Sequence, residues 1–79
     1  MNEVEILSQL SAILENVLKQ PVTITIDTDL IEESILDSLD GMVLMLEVEQ
    51  AFGKGFPDDI DLVAEGYYRV RKLVDHLKG

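Results

Sequence analysis

From Ser38 to Phe52 the apolar residues fall on two sides of a helix rather than one, and that arrangement constrains the fold more than any other feature. At about 100° per residue, Leu44, Met45, Val48 and Phe52 share one side, while Leu39, Met42, Val43 and Leu46 share the other. Asp40 and Glu47 separate the stripes along one edge, and Glu49 interrupts the other edge. A chain of 79 residues buries roughly 60% of the surface its unfolded form exposes, so it has little material with which to cover both. Either two flanking helices bury both stripes, or one stripe stays at the surface for a partner. Methionine suits either outcome, because its flexible thioether fills cores and adapts to contacts equally well.

Helical spacing recurs at both ends of the chain. Asn2 and Glu5 have the spacing of a capping box. Leu7, Leu10, Leu14, Val17 and Leu18 then repeat as a helix stripe. Pro21 ends this pattern, because a residue preceding proline is pushed out of helical backbone. Val22, Ile24 and Ile26 alternate with threonine as a strand would, but no partner strand is visible, so an extended loop is expected. Leu30, Ile31, Ile35 and Leu36 are the expected anchors of that loop in the core. A second helix is expected from Ser38 to about Phe52, ended by Gly53-Lys54-Gly55. Leu62 to Tyr67 can form one short helical turn, weakened by Gly66. Arg69 to Lys78 forms a last helix, with Val70, Leu73, Val74 and Leu77 on one face.

Charge narrows the function. The formal net charge is −10, which opposes binding to nucleic acid phosphates. No basic residue stands between Lys19 and Lys54, whereas Asp27, Asp29, Glu32, Glu33, Asp37, Asp40, Glu47 and Glu49 all do. The positive charge gathers in Arg69, Arg71, Lys72 and Lys78. Such a surface serves solubility, and it also suits partners with basic faces. There is no cysteine, so any thioester chemistry needs sulfur from a prosthetic group. The acidic start (Glu3, Glu5) lacks the basic region of a signal peptide, and no apolar run can span a membrane. A cytoplasmic protein is expected.

At Leu36-Asp37-Ser38-Leu39-Asp40 an acidic loop meets the second helix, where Ser38 can cap the helix and keep its hydroxyl at the surface. Here the chain resembles the acyl carrier protein family, over about Leu30 to Leu77. The resemblance implies an all-α fold, a small antiparallel four-helix bundle with a short third helix and a long first loop, formed by residues 1–79 as one domain. It implies no catalysis and no metal site. It also implies 4′-phosphopantetheine, taken from coenzyme A by a phosphopantetheinyl transferase and attached to Ser38. The arm's thiol would hold an acyl or aminoacyl group for a loading ligase and a downstream synthase or transferase. In that family the stripe of Leu44 would face the core. Asp37, Leu39, Asp40, Met42, Val43, Leu46 and Glu47 would then meet partners, with the carrier itself a monomer.

Departures from the fatty-acid type of carrier point to particular cargo. Ser34-Ile35-Leu36 stands where those carriers have glycine and a small residue, and Val43 where they often have glutamate. The stretch Asp61 to Tyr67 is similar to freestanding aminoacyl, peptidyl and D-alanyl carriers. Competing chemistries fit less well. Asp27-x-Asp29 opens like a calcium loop, but position six is Glu32 and position twelve is Ser38. Ser38 and His76 lack the nucleophile elbow of a hydrolase, and His76 reads as a residue closing a helix. Asp58, Asp59 and Asp61 read as a solvated loop. An unmodified acidic interaction module of the same fold remains the alternative.

Overall fold

A computed structural model describes residues 2–57, 59 and 61–78. Three helices form: α1 (Glu3–Leu18), α2 (Ser38–Phe52) and α3 (Val70–Lys78). Helix α1 starts on the capping box, with Asn2 accepting from the Glu5 amide at 2.9 Å and the Glu5 carboxylate reaching back to Asn2. It ends at Lys19, whose left-handed backbone (φ 59°) turns the chain two residues before Pro21. The α1 stripe is set slightly earlier than the leucine pattern suggested. Ile6, Leu10 and Leu14, spaced four apart, are its fully buried residues, while Leu7 and Leu18 pack at the margin.

Helix α1 packs against both α2 and α3. Leu44, Met45 and Val48 come from α2, and Val70, Leu73 and Val74 from α3, with Leu30, Leu36 and Tyr68 closing the core. Residues 21–25 form a loop without regular structure, and a turn begins at Ile26, where the Thr28 amide donates to the Thr25 carbonyl. The acidic loop is held by its own side chains. The Asp29 carboxylate accepts from the Ile31 and Glu32 amides, and Glu33 accepts from the Asp29 amide. The turn closes on Ser34, which adopts left-handed backbone (φ 58°) without being glycine. Ile35 and Leu36 both donate back to the Leu30 carbonyl.

Across the molecule, Leu30 donates to the Tyr68 carbonyl and Val70 to the Thr28 carbonyl, each at 2.9 Å. This two-bond bridge joins the loop to the start of α3 and fixes where the chain enters α2. The expected third helix is a single capped turn. The Asp61 carboxylate accepts from the Val63 and Ala64 amides, and Glu65 bonds to the Asp61 carbonyl. Gly66 (φ 77°) then closes it, with Tyr67 donating to the Leu62 carbonyl. The fold is all-α. Among the described residues no helix is long and apolar enough to cross a membrane.

Candidate functional site

Asp37, rather than Ser38, is the N-cap of α2. Its backbone is extended (φ −90°, ψ 179°), and its carboxylate accepts from the Asp40 amide at 2.8 Å. The Gly41 amide bonds to the Asp37 carbonyl, which fixes the helix register one residue earlier than a serine cap requires. A carboxylate at this end also faces the positive pole of the helix. Ser38 is therefore the first helical residue. It is exposed, and among the described residues no hydrogen bond holds its hydroxyl.

The two stripes of α2 are resolved by exposure. Leu44 and Val48 are fully buried, whereas Leu39 is 70%, Met42 65%, Leu46 59% and Val43 41% exposed. The second stripe is left at the surface beside Ser38. Asp37 is exposed next to it, and Asp40 and Glu47 are half-buried along its edge. All seven residues expected to meet partners thus sit on α2 or at its cap. An open groove of about 270 Å³ runs between α2 and the following loop, lined by Met42, Met45, Leu46, Glu49, Phe56, Pro57 and Leu62.

His76 takes no part in this arrangement. Its Nε2 pairs with the Gly55 carbonyl at 3.0 Å, and its ring stacks on Phe56 with centroids 4.6 Å apart. Tyr67 meets both rings edge-on. The histidine therefore ties α3 to the loop after α2. No group of three metal-ligating side chains occurs among the described residues. In the stretch Asp58 to Asp61, Asp58 and Ile60 lie outside the described residues, and Asp61 is committed to its turn.

Sequence reasoning passed over Gly41 and Tyr68. Gly41 is buried on α2 because the Tyr68 ring lies against it. A Cβ at Gly41 would meet the Tyr68 hydroxyl oxygen at 2.8 Å and two ring carbons at 2.9 Å. The available signal was a lone glycine inside a helical pattern, which usually marks close packing. Tyr68 is 5% exposed, and burial together with the nearby Asp61 charge raises its ionisation above the ordinary tyrosine value.

An exposed serine at the start of a helix is open to covalent modification. Comparison with known proteins gives the family. The family described as "Phosphopantetheine attachment site" matches residues 8–77, and the chain belongs to that family. The acyl carrier protein of Coprothermobacter proteolyticus is 47% identical over 51 residues, covering 58% of this chain. That match spans 62% of the relative's own length. No solved structure matches significantly.

Membership makes this a phosphopantetheine-attachment domain, with 4′-phosphopantetheine as its covalent group. The residues fit the group: an attachment hydroxyl has to be exposed and free of internal hydrogen bonds, and Ser38 is both. When bound, the arm supplies the thiol that a chain without cysteine lacks.

Proposed function

We propose that Ser38 bears the 4′-phosphopantetheine arm and that the protein carries an acyl or aminoacyl group on it as a thioester. The observation that supports this reading best is the division of roles at the start of α2. Asp37 makes the cap, so the Ser38 hydroxyl is left exposed and uncommitted. Tethering keeps the cargo at a high effective concentration for each enzyme the carrier meets. Leu39, Met42, Val43 and Leu46 form the apolar part of the partner surface, with Asp37, Asp40 and Glu47 as its acidic rim. A transferase loads the arm, a ligase charges it, and a synthase or transferase removes the cargo. The protein acts as a monomer in the cytoplasm.

Ser34-Ile35-Leu36 and Val43 favour aminoacyl or peptidyl cargo over long-chain lipid synthesis. The test is direct. The protein is incubated with coenzyme A, magnesium and a promiscuous phosphopantetheinyl transferase, and its intact mass is recorded. It should gain one phosphopantetheine, and Ser38→Ala none. A wild-type mass that stays unchanged under conditions that load a control carrier refutes the proposal and favours the unmodified interaction module.

A further inference from the structure

Tyr68 is 5% exposed, yet its hydroxyl makes no hydrogen bond to the described residues. A nearly buried tyrosine usually finds a partner for this group. No buried side-chain nitrogen or oxygen lacks a partner among the described residues, so the Tyr68 hydroxyl must reach water at the edge of the core. Its place is defined by Gly41, since the hydroxyl oxygen lies 2.8 Å from where a Cβ would stand. The hydroxyl therefore lies against α2 at Gly41, the residue that closes its first turn. That turn contains Ser38, three residues before Gly41. Residues so spaced have Cβ positions about 5–6 Å apart, a gap that a phosphate esterified to Ser38 can span.

The helix start adds donors of its own. Asp37 satisfies the Asp40 amide, and the Gly41 amide bonds to the Asp37 carbonyl. The amides of Ser38 and Leu39 have no acceptor within the helix and lie at its positive pole. Opposing them, the Asp37 and Asp40 carboxylates repel a phosphate. A neutral hydroxyl beside that turn stabilises an anion without drawing in the acids. A tyrosine hydroxyl, ordinarily ionising near 10.0 and here higher, is protonated at neutral pH and can donate.

We propose that the Tyr68 hydroxyl and the first turn of α2 form the seat of the arm's phosphodiester. The hydroxyl donates a hydrogen bond to the phosphate on Ser38 and sets the direction in which the arm leaves the bundle. This rests on Ser38 bearing the arm. Tyr68 is here a positioning residue, acting through the phosphate and touching neither thiol nor cargo.

Phosphorus NMR of the loaded protein, with proton NMR of the Tyr68 ring, tests it. Tyr68→Phe keeps the ring on Gly41 and removes only the hydroxyl. The loaded wild type and loaded Tyr68→Phe should differ in phosphorus shift, while the wild-type Tyr68 ring resonances move on loading. Solvent exchange of the hydroxyl proton should slow at least roughly tenfold, the factor for about 1.4 kcal/mol, near the lower end for a hydrogen bond to a charged group. Identical phosphorus shifts in the two loaded proteins overturn the proposal. Should Tyr68→Phe fail to fold, wild-type ring resonances that are the same before and after loading overturn it instead. A protein whose intact mass shows no arm refutes the Ser38 assignment beneath it, and mass alone tells that failure apart.

Discussion

Replacing Gly41 with alanine sets two calculable effects against each other. In an exposed helix interior the change stabilises by about 1 kcal/mol, because glycine is a poor helix former. Here the new methyl would stand 2.8–2.9 Å from three atoms of the Tyr68 side chain, closer than real contacts allow. The ring cannot swing away cheaply. Its residue is almost fully buried, and the Tyr68 carbonyl is held by the Leu30 amide at 2.9 Å. Overpacking of a core typically costs about 1–3 kcal/mol, and a rigid ring beside a helix backbone belongs toward the upper end. The net expectation is a loss of about 1–2 kcal/mol. For a domain of this size that lowers the melting temperature by roughly 5–10 °C. Urea unfolding of Gly41→Ala, alone and with Tyr68→Ala, provides the assay. In the Tyr68→Ala background the methyl has room, and Gly41→Ala should raise stability by up to about 1 kcal/mol. Gly41→Ala raising stability in the otherwise wild-type protein would refute the account of this contact.

Three further outcomes are expected. Ser34→Gly should stabilise by about 0.5 kcal/mol, since relief of the left-handed backbone outweighs the added freedom of the unfolded glycine; a lower urea midpoint would contradict this. Asp37→Ala should cost about 1 kcal/mol through loss of the cap; an unchanged melting temperature would argue against that role. Tyr68 holds its proton more tightly folded than unfolded, so its contribution is fully present below the ordinary tyrosine value of 10.0 and is lost as pH rises through the raised folded value. Denaturation followed from pH 8 upward should therefore show an alkaline decline that Tyr68→Phe reduces.

Much of this was readable from residues that act locally. The Asn2 and Glu5 spacing placed the start of α1, and the two-stripe pattern with Gly53 behind it placed α2 at its observed bounds. The same pattern could not say which stripe faces inward, because that depends on where α1 lies. The cap was ambiguous for a related reason. Aspartate and serine are about equally good at an N-cap, and only the bond from the Gly41 amide to the Asp37 carbonyl separates two registers one residue apart. Ile6 displaced Leu7 from the centre of the α1 stripe because burial follows the direction of neighbouring helices rather than residue size. The contact between Gly41 and Tyr68 joins positions 27 apart in the chain and leaves no periodic trace. His76 was placed correctly at a helix end, but its bond to Gly55 and its stacking on Phe56 depend on the return of a loop.

The two arginines of the chain are both turned onto the acidic loop, Arg71 to Asp27 at 2.7 Å and Arg69 to Asp29 at 3.6 Å. No guanidinium is left to offset the carboxylates around the greasy quartet on α2. Two copies that drift together by that face meet like against like, so the patch does not glue the protein to itself at high concentration. Strong salt shortens the reach of this repulsion, and crowded carriers should then begin to cling.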